Sequence, residues 1–285
     1  MVFSSRHQFT LNGIAKIQGT GVFTGKNVSI EIKPAPADSG IVFIRLDQEG
    51  SPEIRADVSH VFETPRCTIL RNEKTSIQTV EHLLAALSGC HIDNVRIEVD
   101  GPEIPILDGS CIGFVELIEQ VGIKELEATK QIYSLDRALY YSKGDTFLVA
   151  LPSNDFKLTY TLSYPGHPLL EAQTYSVCVT PSSFKTEIAP SRTFVLFEEI
   201  APLIEKGVIK GGDLGSGVVV KGNEVLNPEG LRFSNEMARH KILDLIGDLS
   251  LAGLSLNAHI IAMRSGHGAN AEFAKEISQY FSGRK

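Results

Sequence analysis

Twice along this chain of 285 residues the apolar pattern changes period in the same order. In the first half, period-two runs such as Val28–Lys33 and Ile41–Leu46 read as strands, and short strand-like pieces continue over Val58–Val61 and Cys67–Leu70. After Thr79, a plausible N-cap, Val80, Leu83, Leu84 and Leu87 take the i, i+3, i+4, i+7 spacing of a helix packed on one face. A strand over 94–100 and a second amphipathic helix over 113–121 follow. In the second half, strands over 131–141, 146–151, 157–163 and 172–180 lead to a helix over 235–251. A strand over 257–263 and a closing helix over 271–281 complete it. Glu81-His82-Leu-Leu-Ala-Ala-Leu87 is answered by Arg239-His240-Lys-Ile-Leu-Asp-Leu245. Side-chain identity between the halves is poor, so the repeat is one of plan. Helices with one apolar stripe must bury it against another element. The order therefore predicts two halves of similar plan, each built of strands and helices. The charge-rich stretch 122–130 is the expected boundary, giving domains 1–127 and 128–285. If the halves face each other, the two histidine-bearing helices meet at the interface, where ligand sites often lie.

The second of those helices has a chemical face. With His240 at zero and 100° per residue, Asp244 falls about 40° away, Asp248 about 80° and Lys241 about 100°. Ala238, Ile242, Leu245 and Ile246 fall on the other side. His and Asp at i, i+4 can grip one cation, and they can equally form an ion pair on a solvated face. His82 lies about 200° from Val80, off the apolar stripe of its own helix. Taken together, His82, His240 and Asp244 would make a metal centre with one open position. Two nitrogens and one oxygen suit zinc, and would also suit iron(II) or cobalt(II). Glu81 is either a base beside that metal or an acid favoured in a first helical turn. His267, between Gly266 and Gly268, is either a general acid or a turn histidine. Asp248 could hold that imidazole, or simply face solvent. Lys241 could meet a phosphate or a carbonyl, or be solvated. Gly211–Gly217 is glycine-rich, but it matches no phosphate-loop signature and reads equally as a cleft-edge loop. Thr68 and the Thr193-Phe194 pair carry no spacing signal of their own.

Composition removes several function classes. A net charge of −7 offers no basic excess for phosphates, so no nucleic-acid partner is expected. Tryptophan is absent and aromatics make up 7%, which disfavours base-stacking platforms. The four cysteines, Cys67, Cys90, Cys111 and Cys178, include no CxxC and fit reduced thiols. There is no signal-like N-terminus and no apolar run of spanning length. The expectation is a cytoplasmic protein with no stable membrane anchor.

Several motifs in order then resemble one family. Thr79-Val-Glu-His-Leu83, Glu103-Ile-Pro-Ile-Leu-Asp-Gly-Ser110, Ser191-Arg-Thr-Phe194, His240-Lys-Ile-Leu-Asp244 with Gly247-Asp248, and Ser265-Gly-His-Gly268 are similar to the bacterial UDP-3-O-acyl-N-acetylglucosamine deacetylases of lipid A synthesis. The likeness covers almost the whole chain. It implies one zinc ion per chain on His82, His240 and Asp244. It implies Glu81 as general base and His267 as general acid, with Asp248 supporting it. Lys241, Thr193 and Phe194 would contact substrate, and Asp108-Gly-Ser110 would be a structural turn. The implied fold is two α+β domains of similar plan, each a sheet with a helical layer, face to face, with the active site between them and an apolar passage for an acyl chain. The implied reaction is hydrolysis of the N-acetyl group of the UDP-linked acyl sugar, the committed step of lipid A biosynthesis, by a monomer.

Overall fold

The computed structural model describes residues 3–283. The first half builds a five-stranded mixed sheet in the order Ala15–Thr20, Asn27–Pro34, Val95–Val99, Ile41–Arg45, Glu53–Arg55. Only the pair 41–45 with 95–99 is parallel. Alternation turns Val28, Ile30, Ile32, Val95, Ile97 and Val99 inward, all buried. Helices α1 (Glu81–Gly89) and α2 (Ile112–Val121) form the layer beside it.

The second half, joined by the opening strand Phe3–Leu11, builds a seven-stranded sheet around Ser255–Met263. Residues 255–257 of that strand pair in parallel with 132–134. Residues 258–263 lie between Thr146–Pro152, which is antiparallel, and Phe156–Leu162, which is parallel. Leu139–Lys143, Gln173–Cys178 and Phe3–Leu11 are outer strands. A smaller three-stranded sheet (Phe194–Leu196, Val218–Lys221, Glu224–Val225) carries α3, Phe197–Glu205. Helices α4 (Glu236–Ser250) and α5 (His267–Ser282) layer onto the large sheet. The architecture is thus the expected α+β one, two similar layered units meeting across α1 and α4. One apolar core runs through both, from Leu83 and Leu87 to Ile242, Leu245 and Phe273.

Four local expectations are corrected. The polar stretch 122–130 is not a linker. It belongs to a continuous strand, Ile123–Ser134, whose partner is the opening strand Phe3–Leu11, antiparallel from Leu11↔Ile123 to Phe3↔Tyr133. A strand pair at the sheet margin with one face in solvent keeps its backbone paired while its side chains stay charged, so composition alone resembles a linker. Residues 58–60 form a short 3-10 turn rather than a strand, because the Asp57 side chain accepts from Ser59 N and caps it. Thr79 does not cap α1. It sits at φ +60° and turns its hydroxyl to Glu103, 3.3 Å away. The closing helix starts at His267, four residues before the apolar stripe begins.

Helix α1 differs from a surface amphipathic helix. Every residue in it except Ser88 is buried, Glu81 and His82 included, because α4 covers the face its own sheet leaves open. The cysteines are free, three of them buried and Cys178 exposed.

Candidate active site

Close approach of α1 and α4 creates the site. Gly247 of α4 lies so near the first turn of α1 that a Cβ there would come within 2.2 Å of the Glu81 carbonyl oxygen. A glycine inside a helix costs about 1 kcal/mol relative to alanine, and here it removes the side chain that would hold the helices apart. The crossing brings His82, from the start of α1, against His240 and Asp244 from one face of α4.

These three residues are 4%, 1% and 2% exposed, deep enough that unpaired polar atoms on them need a partner. One donor atom from each lies within 4.8 Å of the others. Asp244 Oδ1 is 3.3 Å from His240 Nε2 and 3.6 Å from His82 Nε2, and the two imidazoles meet edge to face at 5.0 Å. Among the described residues, Asp244 Oδ1 and His82 Nδ1 have no hydrogen-bond partner. His240 is oriented from behind: its Nδ1–H donates to the Ser191 carbonyl at 3.0 Å, leaving Nε2 toward Asp244. Burial pushes His82 down, against the pull of Asp244, and so keeps it neutral. Burial opposes the charge of Asp244, but His240 and Lys241 outweigh it and hold the carboxyl well below its usual range. Two imidazole donors and an ionised carboxylate with an unpartnered oxygen, all buried, suit a divalent cation. Among the described residues, this is the group of metal-ligating side chains that converges in this way.

Around it stand the other candidates. Glu81 points its carboxylate beside the cluster. Its Oε2 accepts from Thr68 N at 3.0 Å, and its Oε1 lies 3.9 Å from His267 Nε2. Burial pushes this carboxyl up to about 7, against the pull of His267. His267 opens α5, and its Nδ1–H donates to Asp248 Oδ2 at 2.9 Å. Burial opposes the imidazolium, but the carboxylates of Asp248, Glu81 and Asp244 outweigh it and raise His267 to about 9. A helix N-terminus would disfavour a cation there, so Asp248 also offsets the dipole. Asp248, fully buried, accepts in addition from Asn270 Nδ2 at 2.9 Å and Thr68 Oγ1 at 2.6 Å. Glu81 and His267 thus belong to one hydrogen-bonded frame with opposite tendencies, one carboxyl near neutrality and one imidazole holding its proton.

Lys241 donates to Asp244 Oδ2 at 2.8 Å and lies 5.7 Å from the Phe194 ring centroid. It looks into a cavity of about 540 Å³ that Glu81, His82, Thr193 and Phe194 also reach. Beyond them the walls turn apolar, through Val22, Phe23, Ile200, Ile204 and Ile209. Gly211–Gly217 is the edge of this cavity rather than a phosphate cradle. Asp213 and Ser216 close it into a turn, and a Cβ on Gly211 would come within 2.3 Å of the Gly21 carbonyl oxygen. Asp108 accepts from Ser110 N and Oγ and pairs with Arg232 at 2.8 Å, a structural turn. A second cavity of about 430 Å³, near Arg6, Asp93 and Asn257, includes none of these residues.

Sequence reading missed four contributors. Thr68 and Asn270 act from positions with no periodic relation to the helices. Ser191 contributes a carbonyl, which side-chain chemistry cannot reveal. Glu103 is fully buried and accepts from Phe23 N, Thr24 N and Thr24 Oγ1 at 2.7–2.9 Å, fixing the loop that roofs the cavity. Gly247 did carry a signal, since a glycine inside a strong helical pattern marks a close approach.

Comparison with known proteins agrees with the motif order. Residues 8–279 match the sequence family described as UDP-3-O-acyl N-acetylglycosamine deacetylase. The UDP-3-O-acyl-N-acetylglucosamine deacetylase of Chlamydia pneumoniae is 45% identical over 273 residues, covering 95% of this chain and 97% of its own. The enzymes of that name from Myxococcus xanthus and Syntrophus aciditrophicus are each 38% identical, covering 96% and 95% of this chain and 87% and 85% of theirs.

Proposed function

The chain belongs to the UDP-3-O-acyl-N-acetylglucosamine deacetylase family, and from that premise we propose that it removes the N-acetyl group of UDP-3-O-acyl-N-acetylglucosamine in a zinc-dependent hydrolysis. The products are acetate and the free amine of the UDP-linked acyl sugar, the committed step of lipid A biosynthesis. One observation carries the reading: three buried, converging donors stand beside a carboxyl and an imidazole at the polar end of an apolar cavity. His82, His240 and Asp244 are the proposed ligands of one zinc ion per chain.

When bound, the metal supplies Lewis-acid polarisation of the amide carbonyl and of the attacking water. The chain's own groups do the rest. Glu81 accepts a proton from water as the new C–O bond forms. The Thr68 N–H on Oε2 leaves Oε1 free for that proton. His267, protonated and held at Nδ1 by Asp248, gives its Nε2 proton to the nitrogen as the C–N bond breaks. The Thr193 hydroxyl is a candidate donor to the developing oxyanion. Lys241 offers an ammonium to the substrate, and the Phe194 ring and the apolar walls behind it suit the acyl chain. The division of the chain into 1–127 and 128–285 is part of the same proposal, with Glu81 and His82 on one side and the remaining groups on the other. No helix among the described residues is long and apolar enough to cross a membrane. Action in the cytoplasm as a monomer completes the reading.

The test is elemental analysis of the purified protein, joined to an acetate-release assay before chelation, after it, and after zinc is returned. One zinc per chain is expected, with activity lost and regained. A chelated, metal-free protein that turns over at the parent rate would refute the metal reading.

A further inference from the structure

The base and the acid lie on different helices, and something must hold them in one frame. Thr68 immediately precedes the short strand Ile69–Arg71 and is fully buried. Its main-chain N–H donates to Glu81 Oε2 at 3.0 Å, and its hydroxyl donates to Asp248 Oδ1 at 2.6 Å. The other Asp248 oxygen takes His267 Nδ1 and Asn270 Nδ2, both at 2.9 Å. We propose that Thr68 is a positioning residue for the reaction, coupling the Glu81 carboxylate to the Asp248–His267 pair through one amide and one hydroxyl.

The coupling is geometric, and its role rests on the deacetylase reading. A carboxylate with both oxygens free can rotate about its last bond. With Oε2 tied to Thr68 N, Glu81 must present Oε1, the oxygen 3.9 Å from His267 Nε2. Asp248 has both oxygens engaged and cannot turn either. Its Oδ2 then fixes the proton of His267 on Nδ1 and directs Nε2 toward the Glu81 side. Thr68 therefore sets the Glu81 oxygen and, through Asp248, the imidazole edge. Its hydroxyl is buried, so solvent water is not at hand to replace it. Misplacement of either group by about 1 Å can cost on the order of a hundredfold in rate.

Thr68→Val keeps the volume and the N–H and removes only the hydroxyl. The expected result is a kcat lower by about 10- to 100-fold, the size of one lost hydrogen bond to a buried charge. KM should stay within about threefold and zinc content unchanged, because the residue acts on the chemical step rather than on binding. Thr68→Ser should restore kcat to within about threefold, since it keeps both donors. In an Asp248→Asn background, Thr68→Val should cost less than about threefold, because its effect runs through Asp248. A Thr68→Val enzyme with the parent kcat, or losses that multiply in the double variant, would overturn the proposal. Should the valine variant not fold, the folded serine variant decides alone: a loss above about tenfold would sink the role given to the hydroxyl. A parent chain that releases no acetate from UDP-3-O-acyl-N-acetylglucosamine would instead overturn the deacetylase reading, and this proposal with it. An active parent indifferent to Thr68→Val overturns this proposal only.

Discussion

Gly247→Ala isolates the helix crossing on which the site depends. The added Cβ would meet the Glu81 carbonyl oxygen at 2.2 Å and its carbonyl carbon at 2.9 Å. Both are backbone atoms, so no rotamer change relieves the clash. Ordinary contact lies beyond 3.4 Å, so α1 and α4 must part by roughly 1 Å at this point. Overpacking of this kind costs about 1–3 kcal/mol, and alanine returns about 1 kcal/mol in helix propensity. The net loss of stability is therefore modest, on the order of 0–2 kcal/mol, and the variant should fold. Its effect on the site should be far larger. Glu81 and His82 ride on the helix that moves, while His240, Asp244 and Asp248 ride on the other. A shift of about 1 Å between them should lower kcat by on the order of a hundredfold and weaken metal binding. The assay is kcat for acetate release, with zinc content after dialysis and a melting curve. A folded Gly247→Ala protein that keeps stoichiometric zinc and the parent kcat would falsify the claim that this contact sets the site.

Other expectations concern single groups. His82→Ala should lose both zinc and activity, measured by elemental analysis and acetate release; a variant that retains one zinc per chain removes His82 from the ligand set. Glu81→Ala should keep its zinc yet lose about a hundredfold or more in kcat, and unchanged turnover would remove Glu81 as the base. The pH profile of kcat/KM should be a bell. Activity rises as Glu81, raised to about 7, gives up its proton, and falls as His267, raised to about 9, loses the proton it must donate. A bound cation favours the deprotonated form of each, so both limbs move to lower pH when zinc is present. An alkaline limb that survives His267→Gln unchanged would refute its assignment. Lys241→Gln should lower kcat/KM by about 10- to 100-fold with zinc retained, the loss expected for one charged contact; an unchanged kcat/KM would leave Lys241 as no more than a partner of Asp244.

The fold was legible where one face of an element is buried and the other is wet. Val28, Ile30 and Ile32 alternate because their strand has a core on one side, and the run reads directly as β. Legibility failed where a backbone's partner does not depend on side-chain polarity. Residues 122–130 look like a linker because their pairing with Phe3–Leu11 is made by main-chain groups that composition does not report. It failed again at 58–60 and at Thr79, where one side-chain hydrogen bond decides the conformation. The start of α5 was misread for a different reason. Its first turn carries His267, Gly268 and Asn270, chosen by the Asp248 network rather than by core packing, so the apolar stripe begins a turn late.

The site's side chains were legible for a related reason. His240, Asp244 and Asp248 repeat every four residues because one helix must present all three to the same side, and that constraint is written in spacing. The groups that aim them were not legible, because aim is a tertiary property. Ser191 orients His240 through a carbonyl and Thr68 orients Glu81 through an amide, so neither role is encoded in a side chain. The Arg192 guanidinium explains why that carbonyl stays in position. It is nearly fully buried and reaches Glu236, in the first turn of α4, from Nε at 2.9 Å, while its own main-chain N–H donates to the same carboxylate at 3.0 Å. The segment that supports His240 is therefore fastened to the helix that carries His240. A movement of α4 takes the Ser191 carbonyl with it and preserves the imidazole's orientation. Among the described residues, His82 Nδ1 has no hydrogen-bond partner of the kind Ser191 gives His240. Of the three proposed ligands, His82 is therefore the one whose orientation depends most on how α1 packs against α4.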